Sequence, residues 1–231
     1  MPHASLTTLI LFFTAAATLV AQQPGTFIPG HPGAPVQGYF QPVKIHGPQG
    51  TKTAFAANGK FVDRREMPHC VGLLLSADYR LRMTDIPLQP GKEVFPSIKI
   101  IGRTFPPQGL ELEFPIQIEI TQEDLDLAID GKFVTRVIYL EDPQNAMPIS
   151  SKPEEPLSVD VSGGADPLNV AQTLGRPIAI VRLGGRVPDL NYVDPAFFHG
   201  CPPWIAFDKA TQGYVATPYQ STTMGGEMYR R

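Results

Sequence analysis

Between residues 110 and 120 every second side chain is apolar. Leu110, Leu112, Phe114, Ile116, Ile118 and Ile120 fall on one side of an extended chain, and Glu111, Glu113, Pro115, Gln117 and Glu119 on the other. A two-residue period fits a strand with one face in a core and the other in water, and it fits no helix. Pro115 has no N–H to give to a ladder, so the pattern predicts an edge strand or a bulge at that point. Tyr79, Leu81 and Met83 alternate in the same way with Arg80 and Arg82. Further strands are expected at residues 94–101, 133–140 and 178–183, the last so continuously apolar that it belongs inside a sheet.

Helix signals are few and short. Thr121 followed three residues later by Asp124 forms a capping box, with Ile120 and Leu125 placed as a hydrophobic staple and Gly131 as the stop. Asp166-Pro167 starts a second helix that ends before Gly175. One short helix cannot cover a parallel sheet on both faces, so a βαβ sheet is the weaker alternative. The expected fold is mainly β, an immunoglobulin-like antiparallel sandwich with one or two short helices.

The chain's start bears on its destination. Residues 6–21 are an uncharged apolar run, and the first Lys, Arg, Asp or Glu is Lys44. The run is shorter than the roughly 20 residues that span a bilayer core and ends in small residues, as a signal peptide cut after Ala21 does. An uncleaved anchor is the alternative. Residues 22–42 hold five prolines and four glycines, a composition with little to bury, and read as an arm. The expected plan is a signal peptide at 1–21, this arm, a β-sandwich domain with an extension at 43–207, and a flexible tail at 208–231. Lys plus Arg number 19 against 22 Asp plus Glu, dispersed without a basic block, which argues against nucleic acid as a partner.

Candidate chemistry is sparse. In an oxidising compartment Cys70 and Cys201 are expected to form a disulfide; the alternatives, in falling order, are two unpaired cysteines, a zinc site shared with His69 and His199, and a catalytic thiol. The carboxylates Glu111, Glu113, Glu119, Glu123, Asp124 and Asp126 lack both the spacing of a calcium loop and any sign of a shared cleft. Gly184-Gly185-Arg186 is followed by Pro188 where a phosphate loop needs a helix. Phe198, His199 and Trp204, with Phe197 and Phe207 close by, form the one candidate binding surface for sugar or peptide, although so apolar a group more often packs on a core. No catalytic residue, metal ligand or cofactor is assigned.

The runs at 81–87, Pro-Gly-Lys-Glu-Val-Phe-Pro-Ser-Ile from Pro90, and Gly-Lys-Phe-Val-Thr-Arg-Val-Ile-Tyr-Leu-Glu-Asp-Pro from Gly131 resemble a family of exported planctomycete proteins with no assigned activity. Gly184-Gly185-Arg186-Val187-Pro188 and Gly200-Cys201-Pro202-Pro203 fit the same resemblance, which spans roughly residues 39–204. It implies a cell-envelope setting, in the periplasm or at the surface, and no catalytic residue. The expected role is an exported structural or protein-interaction module with an envelope protein or polysaccharide as partner and no transmembrane segment after processing. The alternative is an envelope carbohydrate-binding protein or hydrolase working through residues 197–204.

Overall fold

The computed structural model describes residues 39–142, 144, 159–161, 164–189, 191–210 and 213–219. The expected signal peptide and residues 22–38 of the arm lie outside them. The domain is mainly β, with two sheets and two short helices. Its elements are β1 (Phe40–His46), β2 (Lys52–Ala57), β3 (Lys60–Glu66), β4 (His69–Leu74), β5 (Asp78–Thr84), β6 (Ser97–Ile100) and β7 (Ile116–Glu119). There follow α1 (Gln122–Ile129), β8 (Val134–Glu141), α2 (Pro167–Leu174), β9 (Gly175–Leu183), β10 (Trp204–Ala210) and β11 (Gly213–Tyr219). The first sheet runs β11-β10-β4-β1-β7 and the second β3-β2-β5-β6-β9-β8.

Alternation sorts the side chains. Val43, Ile45, Val71, Leu73, Ile116, Ile118 and Trp204 from the first sheet meet Phe55, Tyr79, Leu81, Met83, Ile98 and Val181 from the second in one buried cluster. Strand β9 is interior, between β6 and β8, which accounts for its continuous apolar run. The β2–β3 hairpin turns through Asn58 and Gly59, both at positive φ, as a two-residue turn requires.

The capping box is present at α1: Asp124 N donates to Thr121 Oγ1, and Thr121 N donates to Asp124 Oδ2. Gly131, at φ 79°, lets its own N–H and that of Lys132 reach back to Ala128 and Leu127, closing the helix in a Schellman arrangement. Asp166 caps α2 with Pro167 in its first turn.

Three expectations are corrected. The strand predicted across residues 110–120 is regular only at Ile116–Glu119, because Pro115 removes a ladder donor and tight turns at Pro107–Leu110 and Leu110–Glu113 take up the rest. Ile116 and Ile118 are buried, whereas Leu110 and Phe114 are exposed. The architecture is not wholly antiparallel: β7 is an edge strand parallel to β1, with Val43 opposite Ile116 and Ile45 opposite Ile118. The expected flexible tail contributes β11, which pairs with β10 from Trp204↔Tyr219 to Ala210↔Gly213.

Candidate binding face on the second sheet

Each core-facing residue of β5 is followed by one on the opposite face, and this outer face is where the segment 194–201 lies. Ala56, Phe95, Phe197, Phe198 and Cys201 form a buried cluster there, with Phe61 against it. Four phenylalanine rings pack with centroids 5.2–5.8 Å apart, Phe61 touching Phe95 and Phe198 and Phe197 touching Phe95 and Phe198. The segment folds back on itself through N–H groups of Phe197 and Phe198 on Asp194 O, and through three successive left-handed residues, His199, Gly200 and Cys201. Such φ values cost a non-glycine residue roughly 1–2 kcal/mol each and persist only where packing over-determines them.

Arg80 does that fixing. Its Nε donates to Phe197 O at 2.9 Å, Nη1 to Phe95 O at 2.8 Å, and Nη2 to His199 Nε2 at 3.0 Å. The guanidinium carbon sits 4.7 Å from the Phe197 ring centroid. Burial, helped by the nearby Arg186 charge, lowers this guanidinium to about 10. An arginine has only donors, so His199 Nε2 must be the acceptor and the imidazole is neutral. Burial and the Arg80 charge push its pKa down in agreement with that assignment. The lone pair a general base would use is therefore already engaged.

The candidate binding surface does not assemble. Trp204 is 1% exposed and lies in the main core, stacked on Tyr219 with centroids 4.1 Å apart and planes 7° from parallel, and 4.8 Å from Phe55. Phe198 is 6% exposed within the outer cluster. Only His199 is partly open to solvent. These residues form no flat aromatic platform for a sugar ring, because Trp204 packs on Phe55 and Tyr219 and Phe198 on Phe61 and Phe197.

The Cys70–Cys201 bridge is not formed; both cysteines are free, buried thiols. Cys70 alternates with the core residues Val71 and Leu73, so it points to the outer side of the first sheet, opposite Lys44 and Phe207 in register. Cys201 lies on the outer side of the second, its Sγ accepting from Gly59 N at 3.3 Å. Packed sheets stand about 10 Å apart, and a disulfide needs Cα atoms within about 7 Å. Burial raises the Cys70 thiol to about 11. His69 faces the core side, 3.3 Å from Thr53 Oγ1, and burial lowers it to about 4. The two His/Cys pairs thus point to different faces, and among the described residues no group of three or more His, Cys, Asp or Glu could hold a metal ion.

The remaining motifs are structural. Asp124 caps α1 and receives Arg136 Nε at 2.6 Å; Asp126 Oδ1 accepts from Gln89 and Gln122. Arg186 pairs with Asp194 at 3.0 Å. Gly185 packs so closely that a Cβ would lie 3.2 Å from Gly131 Cα.

Beside the aromatic cluster a groove of about 250 Å³ is lined by Ala54, Phe61, Arg64, Arg82, Thr84, Asp85, Gly91, Lys92 and Glu93. Both of its carboxylates are paired: Arg64 bonds Asp85 at 2.6 Å, Lys52 bonds the same Asp85 at 3.0 Å, and Arg82 grips Glu93 with two nitrogens. The outer face can therefore meet a polar surface, and the hydrogen bond from Lys52, with the Arg64 charge beside it, holds the Asp85 carboxyl below its ordinary value. Arg80, which holds residues 194–201 to the sheet, is the residue whose part the sequence concealed. Its alternation with core residues marks it as outward-facing, and nothing local says that residues 194–201 return to cover it. Comparisons with protein-family models, with curated proteins and with solved structures give no match.

Proposed function

We propose that the chain is an exported, non-catalytic structural or protein-interaction module of the cell envelope. Its two sheets would pack as an immunoglobulin-like sandwich, presented on the Pro/Gly arm. The observation that carries this reading is the commitment of the reactive side chains to packing: His199 has its lone pair on Arg80, Trp204 is stacked inside the core, and the thiols lie buried on separate faces. The uncharged run at residues 6–21 supports export, and the resemblance to exported planctomycete proteins supports an envelope setting. Among the described residues no helix is long and apolar enough to cross a membrane.

Fractionating native cells and mapping the mature amino terminus tests the proposal. A chain starting near Gln22 in the periplasmic or surface fraction, cross-linking there to another envelope component, is expected. A cytosolic chain with residues 1–21 intact would refute it.

A further inference from the structure

Residues 103–114, half of which alternate like a strand, form a loop whose apolar side chains have no core to enter. Thr104 closes its neck: its N–H donates to Gln41 Oε1 at 3.0 Å, and its hydroxyl donates to Phe114 O at 3.3 Å. Phe105, Leu110 and Phe114 are 57%, 42% and 54% exposed. A loop that closes its own ends while leaving three large apolar groups about half exposed recovers only part of their burial in folding.

At the neck two guanidiniums meet. Arg103 lies 4.5 Å from the Tyr39 ring centroid and 4.7 Å from that of Phe105, and Arg176 lies 5.5 Å from the same Phe105 ring. Arg176 Nη2 donates to Arg103 O at 3.0 Å. Arg103 Nε and Arg176 Nη1 are removed from water and make no hydrogen bond. Neither arginine forms an ion pair among the described residues; Glu111, whose charge is felt at Tyr39, instead accepts from Gly109 N at 3.1 Å. Two like charges gathered on one ring, with no carboxylate paired to either among the described residues, are arranged for a shared anion.

We propose that this loop is a docking surface for an extended peptide that sets a carboxylate on Arg103 and Arg176 and lays large apolar side chains along Phe105, Leu110 and Phe114. The proposal deepens the interaction-module reading and rests on it. A peptide fits better than an acidic polysaccharide because guanidiniums already stack on Phe105, leaving aromatic edges and the Leu110 side chain, which suit aliphatic groups more than a sugar ring.

The test titrates the full chain with a fluorescein-labelled hexapeptide of alternating Asp and Leu, using polygalacturonate as competitor. Saturable binding is expected, weakened about tenfold for each arginine lost in Arg103→Gln and Arg176→Gln. It should weaken with rising salt and also fall in Phe114→Ser, which leaves both arginines in place. Urea midpoints establish that each variant folds; should either arginine variant not fold, Leu110→Ser and Phe114→Ser decide the matter. Absence of peptide binding, equal affinity in the variants, or preference for polygalacturonate would overturn the inference. With a mature amino terminus near Gln22 in the exported fraction, such a result removes this surface alone and leaves the module reading standing.

Discussion

Replacing Arg80 with methionine tests how residues 194–201 are held to the second sheet. The side chain is 8% exposed and gives hydrogen bonds to Phe197 O, Phe95 O and His199 Nε2. Methionine fills much of the same space and has no donor, so three acceptors lose their partner at once. A buried acceptor left alone costs about 1–3 kcal/mol, giving a ceiling of about 9. Two effects bring it down. His199 is partly exposed and can turn to water, and the substitution relieves the burial of a cation that no carboxylate touches among the described residues, a change that recovers energy. The expected net loss is about 2–4 kcal/mol, which at roughly 2–4 °C per kcal/mol for a domain of this size lowers Tm by about 5–15 °C. Urea unfolding should show a lower midpoint with an unchanged slope. Arg80→Lys, which keeps the charge but not the fork, should fall between. Because the segment also covers Cys201, that thiol should label faster in the methionine variant while Cys70 does not change. A methionine variant within about 0.5 kcal/mol of the parent would refute the argument, since that is the range of surface substitutions.

Acid should destabilise the fold through His69. Its pKa is lowered by burial from 6.5 to about 4, so the unfolded chain binds a proton that the folded chain refuses; the stability present above pH 6.5 is lost as pH falls toward 4. Over that window the parent should lose about 3 kcal/mol more than His69→Gln, measured by urea midpoints at each pH. Both thiols should resist an aqueous thiol reagent until the chain unfolds, and peptide mapping without reduction should recover no Cys70–Cys201 link. Thr121→Ala should cost about 1 kcal/mol of thermal stability by removing the acceptor for Asp124 N.

What could be read in the sequence is what is decided within a few residues. The start and stop of α1 follow from Thr121, Asp124 and Gly131, and the interior place of β9 from its unbroken apolar run. The strand expected at 110–120 survives only as the edge strand after Pro115, because alternation records spacing, while proline content decides whether a ladder can form. The Asn58-Gly59 pair is itself a hairpin signal, legible from two residues. The partners of Arg80 lie 15–119 positions away and those of Trp204 include Phe55 and Tyr219, so no local pattern announces them. Alternation alone marked Arg80 as solvent-facing, and only the return of Phe197 and Phe198 over the outer face buries it.

The chain has one tryptophan, so its intrinsic fluorescence reports directly on whether the aromatic carboxy-terminal region is core or ligand platform. With Trp204 buried, stacked on Tyr219 and packed against Phe55, emission should be blue-shifted, insensitive to a collisional quencher such as acrylamide, and unchanged by envelope oligosaccharides. Red-shifted emission that acrylamide quenches and an oligosaccharide protects would contradict the assignment of this region to packing, and with it the non-catalytic module.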